Sequence, residues 1–142
     1  MKEVLTNPLF LTILFAGLGA QLIKILIFFI KSKTVHPLDI VATGGMPSSH
    51  SSLMTGVITM IYLTEGATTT FFVALAITTI IIVDAFGVRR TAGEEGIILH
   101  KLIQKSRIKI KEPHYALGHT PEQVIAGILF GFVVALLVFL FI

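Results

Sequence analysis

Four apolar stretches divide the chain and are separated by polar segments of unequal length. They cover about residues 10–30, 48–64, 68–87 and 121–142. A helix needs roughly 20 apolar residues to cross the hydrocarbon core of a bilayer, so the first, third and fourth stretches are long enough. The second is shorter and rich in hydroxyls, which predicts either a short span buried in protein or a re-entrant helix. We therefore expect an all-α membrane helical bundle with about four spans and a single integral membrane domain over residues 1–142.

The composition agrees with this pattern. Charged residues make up 13% of the 142 residues and hydrophobic residues 54%, whereas soluble domains are about 25% charged. A soluble globule of this size needs a polar shell that the composition does not supply. Cysteine is absent, which excludes disulfides and thiol chemistry.

The positions of the basic residues predict the orientation in the membrane. All of the 11 Lys and Arg residues except Lys2 and Lys24 lie in the segments 31–47 and 88–120. The short connection after the second apolar stretch contains Glu65 and no basic residue. With four crossings both basic segments lie on one side, which the positive-inside rule makes cytoplasmic. The sequence thus predicts a multi-pass protein of the cell membrane with cytoplasmic loops over 31–47 and 88–120.

The longer basic segment predicts a helix at the membrane surface. Residues 94–105 distribute apolar side chains among polar ones, as in an interfacial amphipathic helix. The run 105–111 is polybasic and attracts anionic headgroups by about 1 kcal/mol per basic residue. Alternatively, these charges only orient the protein and keep the loop in water. A nucleic-acid partner is not expected, because no aromatic stacking platform or recognition module accompanies the charges.

A distinctive polar cluster, Gly44-Gly-Met-Pro-Ser-Ser-His-Ser-Ser52, precedes the second apolar stretch. Its glycines and proline suit a loop that enters a helix, and Ser48 or Ser49 can cap that helix. Unpaired N–H groups, the helix dipole and the serine hydroxyls would then form an anion site. His50 in the first turn is either a structural hydrogen-bonding group or a proton carrier for a bound phosphate ester. The surrounding cluster favours the proton carrier.

A second histidine precedes the last apolar stretch. Thr120 and Gln123 have the capping-box spacing, and Pro121 occupies the favoured first helical position. His119 therefore lies just outside a helix start. Two spans that begin on one membrane face with a histidine are a more specific signal than either histidine alone.

Ionisable residues near the ends of the first and third stretches complete the candidate site. Asp84 is costly in a membrane unless it is paired or functional, and Arg89 and Arg90 are suited to bidentate phosphate binding. In the alternative reading Asp84 pairs with one arginine and the other stays in solvent. Gln21 and Lys24 lie one turn apart on one helix face. Lys24 either snorkels to the interface or, as we favour, faces inward and completes a phosphate cradle.

These residues carry a family resemblance. The motifs Pro47-Ser-Ser-His50 and Gly118-His-Thr-Pro-x-x-Val-x-Ala-Gly127 resemble the second and third motifs of the type 2 phosphatidic acid phosphatase superfamily, which is related to acid phosphatases and vanadium-dependent haloperoxidases. Asp84-x-x-Gly-Val-Arg-Arg-x-Ala-Gly93, together with Gln21 and Lys24, narrows the resemblance to the divergent bacterial and plastid branch. The resemblance covers nearly the whole chain.

The resemblance implies different catalytic roles for the two histidines. The histidine matching His119 attacks phosphorus to give a phosphohistidine, and the one matching His50 protonates the leaving alcohol. Basic side chains and backbone amides hold the phosphoryl oxygens, and neither a metal nor a cofactor is implied.

The chain departs from the superfamily pattern at three places. Lys24 lacks a downstream Arg-Pro partner, so Arg89 or Arg90 must substitute. The Ser-Arg pair expected before the third motif is Glu112-Pro113, for which Lys111 or the arginine pair would compensate. The acidic residue expected four positions after the nucleophile is Gln123, which leaves Glu122 or Asp84 as the candidate acidic group that orients His119.

The sequence therefore favours a metal-independent membrane phosphatase that hydrolyses a lipid phosphate of the phosphatidylglycerol phosphate, phosphatidic acid or polyprenyl phosphate class. The alternative is a non-catalytic small membrane protein that binds anionic headgroups or a partner. Gly127 and Gly131 have a Gly-x-x-x-Gly spacing, which allows close helix packing and is compatible with a homo-oligomer.

Overall fold

The computed structural model describes residues 2–32, 45–106 and 118–142, and within these ranges the regular structure is entirely helical. The described residues form six helices: α1 Lys2–Leu5, α2 Pro8–Ser32, α3 Ser49–Glu65, α4 Thr69–Phe86, α5 Val88–Ser106 and α6 Pro121–Phe141. The segments 33–44 and 107–117 lie outside the described residues. They include most of the polybasic run and the positions Gly44, Lys111, Glu112 and Pro113.

Local sequence signals explain where the long helices begin. The Asn7 side chain accepts the N–H groups of Leu9 and Phe10 at 2.9 and 3.1 Å at the start of α2. Ser48 caps α3 and Thr68 caps α4 through their side-chain oxygens. These short polar side chains satisfy N–H groups that have no partner within the first helical turn.

Helix α3 lies at the centre of the bundle and packs against α2, α4 and α6. Its contact with α6 is the closest, because a Cβ atom at Gly127 would overlap the carbonyl oxygen of Ser48, and one at Gly131 would overlap that of Ser52. The N–H of Ser48 also donates to the carbonyl oxygen of Gln123 at 3.0 Å. The order of these contacts makes α3 and α6 parallel. The predicted close packing at the Gly-x-x-x-Gly spacing thus occurs within the chain.

Helix α2 runs antiparallel to α3. The Ser52 hydroxyl donates to the carbonyl oxygen of Ala16 at 2.8 Å, and a Cβ atom at Gly56 would lie 3.0 Å from Cγ2 of Thr12. Small residues therefore allow α2 and α6 to approach α3 from two sides, as is common where helices pack in membranes.

One end of the bundle collects the polar motifs. The N–H of His119 donates to the carbonyl oxygen of Ala85 at 3.1 Å, so the end of α4 meets the start of α6. Together with the start of α3 and the second half of α2, these segments form what we call the histidine end. The connection over 66–68, between α3 and α4, lies at the opposite end.

The described residues contain three helical stretches that are long and apolar enough to cross a membrane: Pro8–Ile30, the stretch that begins at Thr69, and Pro121–Phe141. Large apolar side chains such as Leu22, Ile80 and Leu140 are exposed on the outside of the bundle, where lipid would cover them. The protein is an all-α membrane helical bundle, as predicted.

The span expected over 48–64 forms α3, which has only 17 residues. At 1.5 Å per residue it is about 26 Å long, short of a hydrocarbon core of about 30 Å. Its neighbours α2, α4 and α6 surround it with protein rather than lipid. Of the two alternatives, a short span buried in protein or a re-entrant helix, these contacts favour the buried segment. That this segment crosses the membrane as a fourth span stays a prediction.

The amphipathic helix expected over 94–105 is present but longer. Helix α5 begins at Val88, so residues 88–93, which we placed in a loop, are helical. The N–H of Thr91 donates to the carbonyl oxygen of Gly87 at 3.0 Å. Helical hydrogen bonding therefore resumes one residue after α4 ends.

Candidate active site

His119 is held between two helices. Its backbone N–H bonds to Ala85 at the end of α4, and its ring nitrogen Nδ1 lies 3.1 Å from Oε1 of Gln123 in the first turn of α6. The residue is only 5% exposed. His119 is therefore held in place through both its backbone and its imidazole ring.

Burial lowers the pKa of His119 below its usual value of 6.5, and the hydrogen bond to Gln123 opposes this shift. The positive charges of Lys24, His50 and Arg89 lower the pKa further. These groups come from α2, α3 and α5. Because both burial and its charged neighbours disfavour the imidazolium, His119 is neutral at pH 7, which a nitrogen nucleophile requires.

His50 is the second residue of α3 and is exposed, in contrast to His119. Arg89, Lys24 and Asp84 lie near enough to act on it electrostatically. Lys24 and Arg89 thus influence both imidazoles. The structure brings the two sequence-predicted histidines to one end of the bundle and places one inside and one at its surface.

Lys24 faces inward, as we favoured over snorkelling. It is 8% exposed, and a Cβ atom at Gly45 would lie 3.1 Å from its Cδ atom. Gly45 has φ +86°, a conformation that suits glycine. The stem of Lys24 therefore packs under the loop before α3. Gln21, one turn earlier on α2, is half-buried.

Both arginines are in ion pairs. Arg89 Nε bonds to Asp84 Oδ2, and Arg90 Nε lies 3.0 Å from Glu94 Oε1. Asp84 thus faces Arg89, while the atom that contacts the His119 ring belongs to Gln123. The Arg89 side chain is 47% exposed, and solvent-exposed pairs contribute only about 0–1 kcal/mol. The pair therefore contributes little to stability, and the exposed part of the Arg89 side chain is accessible to an anion.

The two serines before His50 differ in environment. Ser48 is fully buried; its Oγ accepts from the backbone N–H of Ser51 at 3.4 Å and from the Ser51 hydroxyl at 3.0 Å. Its role in the structure is to cap α3 and join it to α6. Ser49 is half-buried beside His50 in the first turn, where its hydroxyl is the better placed of the two for an anion.

The sequence reasoning missed the role of Gly118. A Cβ atom there would overlap the backbone of Arg89 and Arg90, so only glycine lets the segment before His119 lie against the start of α5. This contact joins the arginine motif to the second histidine motif. The signal was present in the sequence as the glycine that directly precedes His119.

Metal ligands are not gathered at this end of the bundle. Within residues 2–32, 45–106 and 118–142, no three His, Asp or Glu side chains lie close enough together to hold a metal ion. The arrangement instead offers two imidazoles, two cations and helix-start N–H groups.

The fold and the site define a helical membrane protein whose two histidines, each at a helix start, share the same nearby cations. The chain belongs to the divergent PAP2 family, whose model matches residues 5–134. This membership confirms the resemblance drawn from the histidine and arginine motifs. A Bacillus subtilis (strain 168) relative, the uncharacterized membrane protein YuiD, is 36% identical over 153 aligned positions that cover 94% of this chain and 95% of the relative. No solved structure matches the chain.

Proposed function

We propose that the protein is a metal-independent membrane phosphatase that hydrolyses a lipid phosphate through a phosphohistidine intermediate. The observation that carries the proposal is the juxtaposition of His50 and His119 at the histidine end, with Lys24 and Arg89 acting electrostatically on both. Family membership supports the same chemistry. Lys24 and Arg89 would stabilise the negative charge that develops on the phosphoryl oxygens.

In the first half-reaction, neutral His119 attacks phosphorus and a P–N bond forms. The P–O bond to the lipid alcohol breaks, and its electron pair goes to the leaving oxygen. His50, protonated at this stage, gives that oxygen its proton. The exposed position of His50 suits this role, because the leaving group must depart toward the membrane surface while His119 stays buried.

In the second half-reaction, His50 is neutral and takes a proton from water. The resulting hydroxide attacks phosphorus, the P–N bond breaks, and its electron pair returns to His119. Inorganic phosphate leaves, and His50 is again protonated. Splitting one displacement into two in this way is the usual advantage of nucleophilic catalysis.

The substrate class follows from the position of the site. The histidine end closes a bundle whose outer surface is apolar, so a phosphate that reaches it from the bilayer would be a lipid headgroup. Phosphatidylglycerol phosphate, phosphatidic acid and polyprenyl phosphates all belong to this class. We place the site on the cytoplasmic face of the cell membrane on the basis of the positive-inside rule. Lys101 and Lys105 on α5 are exposed and would favour anionic lipids there.

The test is phosphate release from a panel of lipid phosphates by purified protein in detergent. We expect vanadate-sensitive release by the wild type and a loss of about 10²-fold or more in His50→Ala and His119→Ala, given the usual contribution of a positioned imidazole. His100→Ala is the matched control, because His100 bonds to Gln104 on α5, away from the candidate residues.

Native activity in His119→Ala would overturn the proposal. Binding of lipid phosphates without any release by the wild type would instead support the non-catalytic alternative, a small membrane protein that binds anionic headgroups.

A further inference from the structure

We propose that Gln123 is a positioning residue that holds His119 with its proton on Nδ1, so that Nε2 is the atom that attacks phosphorus. This inference rests on the proposed function, because the identity of the attacking atom matters only if His119 is the nucleophile. Its structural content, the position of the proton on the ring, is independent of any activity.

The geometry around Gln123 decides which ring nitrogen carries the proton. Oε1 of Gln123 lies 3.3 Å from the backbone N of Thr120 and 3.1 Å from Nδ1 of His119. A backbone N–H only donates, so the Gln123 atom that meets it is the amide oxygen rather than the NH₂ group. An amide oxygen only accepts, so Nδ1 must be the donor.

The other ring nitrogen is then available for chemistry. A neutral imidazole has one N–H and one nitrogen with a lone pair. With the hydrogen on Nδ1, the lone pair is on Nε2. The hydrogen bond to Gln123 thus selects the tautomer and also fixes the ring orientation, two tasks that an orienting group performs in histidine-dependent catalysis.

An amide performs these tasks without adding charge. A carboxylate at the same place would favour the imidazolium and raise the pKa of His119. The site already holds the cations Lys24 and Arg89 near this ring, and both lower its pKa. A neutral partner therefore keeps the buried nucleophile unprotonated, and neither Glu122, which is exposed, nor Asp84 is required as the orienting group.

Gln123 also connects the two histidine-bearing helix starts. Its carbonyl oxygen accepts the N–H of Ser48, the cap of α3, at 3.0 Å, while its side chain contacts His119. One residue thus fixes the position of α3 through its backbone and the orientation of the nucleophile through its side chain.

The test is ¹⁵N NMR of histidine-labelled protein, which distinguishes the two tautomers, together with pH profiles of activity. We expect the Nδ1–H tautomer for His119 in the wild type and loss of this preference in Gln123→Ala. We expect kcat of this variant to fall roughly 10²-fold with little change in KM. This loss is smaller than the approximately 10⁴-fold loss of kcat in a serine protease whose catalytic histidine is held in the wrong tautomer.

Gln123→Glu keeps an acceptor and adds a charge, so it separates positioning from electrostatics. We expect it to retain the Nδ1–H tautomer while the acid limb of kcat/KM moves to higher pH by about one unit or more. Glu65→Gln, at an exposed carboxylate at the opposite end of the bundle, is the control and should change neither the spectrum nor the profile.

An Nε2–H tautomer in the wild type, or an unchanged spectrum in Gln123→Ala, would overturn the inference while leaving the proposed phosphatase intact. If the Nδ1–H tautomer is observed and depends on Gln123, but no lipid phosphate is hydrolysed, the positioning stands and the proposed function fails.

Discussion

The imidazole of His119 is buried among groups that disfavour its protonation. Its exposure is 5%, and burial, followed by the charges of Lys24, His50 and Arg89, lowers its pKa despite the hydrogen bond to Gln123. A histidine in water is half protonated near pH 6.5. The acid side of the pH profile is therefore the natural place to detect this environment.

Since only neutral His119 attacks phosphorus, activity falls on the acid side as this ring gains a proton. A lowered pKa keeps the ring neutral as pH drops through 6.5, so we expect the acid limb of kcat/KM to lie below that value. Lys24→Met removes a nearby positive charge and should move the limb to higher pH, whereas Lys101→Met on α5 should not. An NMR titration of His119 checks the assignment, and an acid limb at or above 6.5 in the wild type would contradict it.

At this scale the sequence predicted which residues gather but not which groups face each other. The helix-start motifs placed His50 and His119 correctly, because capping and proline preferences act within a few residues. The sequence offered Asp84 either arginine as a partner and placed Gln123 four residues after His119. It did not indicate which arginine pairs with Asp84, or that an amide rather than a carboxylate contacts the imidazole. Residue spacing alone does not decide between such neighbouring groups.

The contact between α3 and α6 determines the shape of the histidine end. The Gly-x-x-x-Gly spacing on α6 meets the carbonyl oxygens of Ser48 and Ser52 on α3. From the sequence, this spacing allowed close packing and was compatible with a homo-oligomer. The intramolecular partner follows only from the fold, because spacing alone carries no information about which helix lies opposite.

Gly131→Val should destabilise the bundle, because its Cβ would overlap the carbonyl oxygen of Ser52. Overpacking of a close contact typically costs about 1–3 kcal/mol, and here the obstacle is backbone that cannot rotate away. The measurement is thermal unfolding in detergent followed by circular dichroism. Leu129→Val, at an exposed position on the same helix, is the control. Equal stability of the two variants would contradict the close contact.

The whole molecule is a membrane bundle with its polar motifs at one end. The apolar stretches and the sparse charges predicted this architecture, because crossing a bilayer imposes strong demands on length and composition. The start of α5 at Val88 was missed, since Gly87 ends one helix without any loop before the next. The sidedness of the site is still a prediction from charge asymmetry.

The absence of cysteine makes that prediction directly measurable with single-cysteine variants. We expect Ala67→Cys, at an exposed position in the connection over 66–68, to react with a membrane-impermeant maleimide in intact cells. Lys101→Cys, at an exposed position on α5, the helix that begins at the histidine end, should react only after the membrane is permeabilised. The reverse labelling pattern would place the proposed site on the outer face.

The central position of α3 has a consequence for how the protein is made. Helix α3 is short and rich in hydroxyls, and the backbone of its first turns packs against α6, which follows it in the chain. Before α6 is synthesised, the N–H of Ser48 lacks its Gln123 partner, and no glycine of α6 lies against the carbonyl oxygens of Ser48 and Ser52. His119 directly precedes α6 in the chain. The nascent protein therefore acquires the closest neighbour of α3 and the proposed nucleophile together.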